Sequence, residues 1–254
     1  MEQFEAWSAL LKAGEPVSLW QRTYVYFYQA FIYKDRWQQY LNGVKTTLYV
    51  TAIALLIGVF LGLIVAIVRT AHDQQRKGHR NVLLGAINFV FNIYVTVIRG
   101  TPMMVQLMIM GFVIFASSKD FALVGALTLG INSGAYTSEI IRGGLMAVDV
   151  GQMEAGRSLG LGYTDTMRFV IVPQAVKAIL PALGNEFIVL LKDTSLISVI
   201  GGKELIYAAR GVVSRTYEAM FPFLGAALIY LVLVMAFTWL LSIFERRLRA
   251  SDRR

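Results

Sequence analysis

Cysteine is missing from all 254 residues, so neither disulfides nor thiolate metal sites are available. Histidine is nearly missing: His72 and His79 fall in one basic stretch, without the HExxH spacing of a helical zinc site. No GxxxxGK[ST] occurs. Gly202-Lys203 comes nearest, but Ile197 stands where the first glycine would be and Glu204 where the hydroxyl would be. ATP chemistry therefore has to come from another chain. Nothing in the sequence pairs a nucleophile with a base, which argues against an enzyme. Charge is scarce too: only 16% of residues carry it, against 56% hydrophobic, and the mean hydropathy of +0.58 points to an integral membrane protein.

Met1 to Gly43 opens with Glu2 and Glu5 and has no early basic cluster, so it does not read as a cleavable signal. Its aromatic run, Tyr24 to Tyr28 with Phe31, Tyr33 and Trp37, suits an amphipathic helix at the headgroup level. Thr46 to Val68 carries no charge, a run long enough to cross a hydrocarbon core roughly 30 Å thick at about 1.5 Å per residue. Gly58 and Gly62 form a GxxxG there, either a site of close helix approach or only the usual glycine of membrane helices. Arg69, Arg76, Lys77 and Arg80 follow in a short connector. Such an excess marks the cytoplasmic side and puts the N-terminus outside.

Val82 to Ile98 is again uncharged. Arg99-Gly100-Thr101-Pro102 interrupts it before Met103 to Ala116 resumes, which reads as one broken or kinked element, a surface-lying lead helix followed by the second span, with two separate spans joined by a four-residue loop as the alternative. Phe121 to Gly143 reads as a third span with a polar second half, Ala175 to Leu191 as a fourth and Ala219 to Phe244 as a fifth. Arg246, Arg247, Arg249, Arg253 and Arg254 form a basic tail on the cytoplasmic side. Between the last two spans, Lys192 to Glu218 is expected to fold back at the outer surface. Asp193, Thr194 and Ser195 there lie near a pathway or gate, with a plain re-entrant loop as the alternative.

Asp149 to Pro173 is a polar loop set among these spans, which marks a docking element. Asp149 is placed to cap a short helix with Gln152 three residues on, and the small Ala155 and Gly156 follow. Gly160 and Gly162 suit the left-handed turn that ends it, Thr164 suits the cap of a second short helix through Met167 and Arg168, and Pro173 is expected to close the unit. Glu154 on the first helix would face the partner or brace the knob.

The string Glu154-Ala155-Gly156, followed by Gly160 and by Pro173, resembles the EAA loop of permease subunits in bacterial ABC importers. Gly156 replaces the second alanine, a small-for-small change expected to flex the helix without adding bulk. In order along the chain, IRGTPMMVQL (98–107), NSGAYTSEIIRGG (132–144), GQMEAGRSLGLG (151–162), VPQA (172–175) and LLKDTSLISVI (190–200) are similar to the polar amino acid permeases of that class, a likeness that covers most of the chain from Asn42 onward. The resemblance implies an all-α integral membrane protein with the five-transmembrane-helix core of a type I importer. Residues 1–42 would be an interfacial helical extension, 43–245 the permease domain and 246–254 the cytoplasmic tail. It also implies a second permease, identical or a sister, and a cytoplasmic ABC ATPase dimer that binds ATP and Mg and docks on the 149–173 loop. A solute-binding protein would deliver substrate from outside. The partners are then these proteins and membrane lipid, with no nucleic acid and no cofactor in this chain.

Ionisable residues inside spans are functional candidates, because burying them is costly. Arg99 suits a carboxylate or a pin for the kink. Glu139 has Arg142 at i+3 as a structural partner. Glu186 has no basic residue at i±3 or i±4, so it needs a cation from another helix or a substrate ammonium. Asn132, Tyr136 and Asn185 could bond substrate or glue helices together. The function expected is an importer permease for a polar amino acid. The alternatives are an ion-coupled secondary carrier or channel, which would call for internal repeats, and an intramembrane enzyme.

Overall fold

The computed structural model describes residues 2–75 and 81–250, with side chains as far as Leu248. Arg76, Lys77, His79 and Arg80 of the basic connector, Arg253, Arg254 and the side chain of Arg249 lie outside the described residues. In order, the helices are α1 (Glu2–Lys12), α2 (Leu19–Phe31), α3 (Trp37–Asp73), α4 (Val82–Gly100), α5 (Met103–Ile109), α6 (Phe121–Met146), α7 (Val150–Ser158), α8 (Tyr163–Thr166), α9 (Val172–Asp193), α10 (Leu205–Thr216) and α11 (Met220–Ala250). Five-residue π turns extend α5 at Met110–Ile114 and join α8 to α9 at Met167–Ile171. A 3-10 stretch, Thr194–Ile200, continues α9 to Gly201, whose φ of +92° turns the chain toward α10. The protein is all-α among the described residues.

The N-terminal extension is two helices, not one. Ser18 and Gln21 cap α2 reciprocally, the Gln21 amide donating to Ser18 Oγ and the Ser18 amide to Gln21 Oε1. The chain breaks at Lys34 and Asp35, both at φ +54°, rather than at the expected boundary of 42 and 43, which α3 passes without interruption. Phe31 stacks near Tyr40 and Phe27 near Phe221, so α2 lies against α3 and α11.

α3 and α6 form the central pair. A Cβ on Gly58 would lie 2.7 Å from Ser133 Oγ, and one on Gly62 2.6 Å from Thr137 Cγ2, so the GxxxG is a seam of close approach. Val50, Ala54, Leu107, Leu129, Ile197 and Ile200 close one end of the bundle around this pair.

Among the described residues, four helices are long and apolar enough to cross a membrane: Tyr33–Asp73, Val82–Gly100, Tyr163–Ile200 and Met220–Leu248. Two of the five expected spans depart from that list. The first is Phe121 to Gly143, which becomes α6: its 26 residues rise about 39 Å, but it is the most enclosed long helix, so its polar half is shielded from lipid by neighbours and need not be apolar. The second is Met103 to Ala116, which forms only the short apolar helix Met103–Ile114, while the lead segment Val82–Gly100 has spanning length by itself. Packing ties the two together as one broken element. Arg99, the penultimate residue of α4, reaches Glu139 near the docking-loop end of α6, whereas α5 ascends to Ile200 at the opposite end.

Candidate functional site

Spacings of four and three residues put Asn132, Tyr136 and Glu139 on one face of α6. Glu139 sits in a ring of arginines. Arg69 of α3 donates to it, Arg142 Nε is 3.8 Å away and Arg99 Nη1 is 4.0 Å away. Arg142 also bonds Asp73 Oδ2 at 2.6 Å, locking the ends of α3 and α6. The Arg69 side chain is 15% exposed and that of Arg99 44%, so Arg69 is the enclosed counterion and Arg99 the outer, loosely held one. The Arg99 guanidinium lies 5.2 Å above the half-exposed Tyr136 ring.

The break between α4 and α5 is pinned by Gln106 rather than by Arg99. Its Nε2 donates to the Ile98 carbonyl at 2.8 Å and to Thr101 Oγ1 at 2.8 Å, and its Oε1 accepts from Asn132 Nδ2 at 3.0 Å. Those bonds satisfy backbone left open where Pro102 stops the ladder. Asn132 thus glues helices.

Glu186 is on another face. Its Oε1 accepts from Ser133 Oγ at 2.7 Å, and no ion pair to it occurs among the described residues. Asn185 beside it is exposed. At the far end, Asp193 is half-buried next to Lys192. Thr194 is buried, donates to the Leu191 carbonyl at 2.7 Å and faces Tyr230 Oη at 3.4 Å. The Ser195 carbonyl accepts from Ser198. The pathway candidates therefore fall into three separate groups along the bundle.

The 149–173 loop folds as two short helices around a left-handed Gly160 at φ +86°. Several details differ from the expectation. Asp149 caps α7 through the Gly151 amide at 2.7 Å, while Gln152 accepts from Gln174 Nε2 at 3.3 Å. Gly162 is extended, with φ −65°, and is itself the residue before α8, so Thr164 lies inside that helix. Pro173 does not close the unit: it stands in the first turn of α9, where its missing N–H costs nothing because the π turn ahead of it has already shifted the ladder. A Cβ on Gly156 would sit 2.5 Å from Thr166 Cγ2, so this glycine is where α7 and α8 touch, and an alanine would push them apart. Glu154 and Ala155 are exposed.

A family model described as the binding-protein-dependent transport system inner membrane component matches residues 58–250. The chain belongs to this family. Among relatives, the putative glutamine transport system permease protein GlnP of Rickettsia conorii is 35% identical over 211 residues, 82% of this chain and 92% of that protein. The glutamine permease GlnP of Escherichia coli K12 is 33% identical over 213 residues, 82% and 92% of the two chains. The arginine permease ArtQ of Bacillus subtilis is 35% identical over 217 residues, 84% and 93%. A crystal structure of an amino acid ABC transporter with histidines superposes with a TM-score of 0.74 at 43% identity, covering 83% of this chain and 94% of that one. The MetNI methionine transporter shares the fold at 18% identity, with a TM-score of 0.69 over 85% of this chain and 99% of that one. The protein is thus the permease subunit of an ATP-driven importer in the inner membrane, with ATP hydrolysis in a separate subunit.

The permease also holds residues that sequence reasoning missed. Arg69 was read only as part of a basic connector, and Gln106 and Ser133 had no individual signal. Glu204 is the largest omission. It is fully buried, and it caps α10 by accepting from the Ile206 amide at 2.7 Å, the Tyr207 amide at 2.8 Å and Tyr230 Oη at 2.9 Å. Burial pushes its carboxyl up to about 7 against those bonds. The one available signal was an acid directly before the periodic apolar run LIYAARGVV.

Proposed function

We propose that this permease carries a polar amino acid inward, with the 149–173 loop docked on a cytoplasmic ATPase dimer and a second permease, identical or a sister, completing the pore. The N-terminus lies outside, where a solute-binding protein delivers substrate, and the C-terminus inside. The observation that carries the substrate class is Glu186: an acid inside the bundle that accepts from a neutral hydroxyl and has no ion pair among the described residues, which leaves its charge for a substrate ammonium. Arg99, stacked on Tyr136 and held loosely, offers the opposite charge for a carboxylate, with Asn185 and the Asp193 to Ser195 segment farther along the route. The relatives named for glutamine and arginine are consistent with this class.

The docking part rests on the exposed face of α7, where Asp149, Gln152, Glu154 and Ala155 present a capped, rigid surface. Glu154→Lys is expected to insert and assemble normally yet uncouple the complex, cutting substrate-stimulated ATP hydrolysis and transport in proteoliposomes at least tenfold, because a reversed charge at a packed interface is repelled. Wild-type transport by that variant would defeat the docking assignment.

A further inference from the structure

At the end of the bundle away from the 149–173 loop, polar side chains from four elements meet out of reach of water. Glu204 ahead of α10, Thr194 at the start of the 3-10 stretch and Thr47 of α3 are wholly buried, and Tyr230 of α11 stands among them. Glu204 Oε2 accepts from the Ile206 amide at 2.7 Å and from Tyr230 Oη at 2.9 Å, and its Oε1 accepts from the Tyr207 amide at 2.8 Å. Tyr230 Oη is also 3.4 Å from Thr194 Oγ1, where either hydroxyl can donate, while Thr194 gives its own hydrogen to the Leu191 carbonyl at 2.7 Å. The Thr47 hydroxyl lies beside the same phenol and has no hydrogen-bond partner among the described residues. A buried hydroxyl left open in this way costs free energy, unless a second arrangement of the cluster uses it.

Counting hydrogens supplies that arrangement. The Ile206 and Tyr207 amides only donate, so they hold the carboxyl group whatever its charge. With Glu204 ionised, Tyr230 spends its one hydrogen on Oε2, and the Thr194 hydrogen is engaged at Leu191, so no hydrogen lies between phenol and threonine. With Glu204 protonated, the new O–H donates to Tyr230 Oη. The phenol hydrogen then turns away, and the acceptors beside it are Thr194 Oγ1 and the open Thr47 Oγ1. One proton is taken from solution and none is released. No charged side chain competes for the carboxyl: Tyr40 and Thr47 of α3, Thr194, and Tyr230 of α11 are neutral, Lys192, Lys203 and Tyr207 are exposed, Asp193 is half-buried, and Glu204 has no ion pair among the described residues. We propose that Glu204 is a proton-operated positioning residue, which when protonated turns the Tyr230 hydroxyl from α10 to Thr194 and Thr47, pinning the 3-10 stretch to α11 and α3, and when ionised releases that stretch. Burial pushes its carboxyl up to about 7, so pinning dominates below that pH and release above it. Because the stretch begins within the Asp193 to Ser195 segment, calling the latch a gate rests on the route given under Proposed function; the latch itself does not.

The chain has no cysteine, so Ser195→Cys reports on the stretch alone. In the purified permease–ATPase complex, its rate of reaction with a maleimide is followed from roughly pH 5.5 to 8.5 and divided by that of Ser8→Cys on α1, which cancels the titration of the thiol itself. The ratio should rise with pH by about fivefold, the worth of one hydrogen bond, with its midpoint near 7. Tyr230→Phe keeps the ring but removes the link, so the ratio should stay high at every pH. Glu204→Gln, whose amide donates to the phenol as the protonated acid does, should keep it low throughout. A flat ratio in the otherwise wild-type chain, or the wild-type rise persisting in either variant, overturns the proposal; if Glu204→Gln fails to assemble, Tyr230→Phe decides by itself. Transport by the labelled complex in proteoliposomes separates the two readings: a ratio that titrates as expected while the adduct leaves transport untouched keeps the latch and removes the stretch from the route.

Discussion

Glu139 on α6 and Glu186 on α9 are both acids within one helical bundle, and the protein surrounds them differently. Three arginines, from α3, α4 and α6 itself, approach Glu139, and the most enclosed of them bonds it directly. Glu186 meets one serine hydroxyl. A carboxylate taken from water needs either a cation or a proton. Glu139 has its cation in the fold, whereas Glu186 has none among the described residues. An acid inside a transporter is thus informative through what it lacks: the paired one holds helices together, and the one without a described cation is the one proposed above to meet a passing charge.

The severest test of this contrast is Glu139→Gln, which strands the enclosed Arg69. Thermal unfolding of the purified complex should show a loss of roughly 3 to 4 kcal/mol, in the lower part of the range for breaking an enclosed ion pair, because both side chains keep some solvent. An unchanged midpoint would make Glu139 as free as Glu186 and erase the distinction.

Glu204 sharpens it with a third arrangement, an acid held by amides and a phenol. Its folded value of about 7 lies above the ordinary 4.5, so the proton is bound more tightly in the folded state. Stability from this group is therefore full below about pH 4.5, declines as pH rises toward 7 and is level above, a span of up to about 3 kcal/mol. Wild type should lose stability over that window, and Glu204→Gln should flatten the curve; a variant that keeps the slope would assign it to another group.

The smallest effect is expected at Glu186. Glu186→Gln keeps the size and the acceptor for Ser133 but loses the charge, so transport at limiting substrate should fall about tenfold to thirtyfold, or about 1.5 to 2 kcal/mol, with assembly and unfolding unchanged. A drop in complex yield with full transport per molecule would instead place Glu186 beside Glu139 as a structural acid.

Much of this architecture was legible in the chain. The long apolar runs gave α3, α9 and α11, because length and apolarity report directly on membrane crossing, and the glycines and capping residues of 149–173 gave the pair of short helices there. What escaped notice depends on the third dimension. Arg69 lies 70 positions before Glu139, and no periodicity connects them. Pro173 looked like a terminator because the π turn that accommodates it leaves no mark in the sequence. Glu204 was compared with a phosphate-loop pattern, and its burial arises only when α10 folds back against α3 and α11.

From Tyr163 to Ile200 the backbone is a single helical shaft of 38 residues. Its lower end belongs to the loop proposed to dock on the ATPase, and Glu186 stands about 35 Å up the shaft at 1.5 Å per residue. Two knuckles interrupt the stretch between them, the π turn at Met167–Ile171 and Pro181, each a place where the regular ladder is already relaxed. A twist applied at the base therefore has two defined places to be absorbed before it reaches the acid. Tightening either knuckle would make the shaft a stiffer crank, and the torque delivered from base to acid becomes a mechanical property written into five residues and one proline.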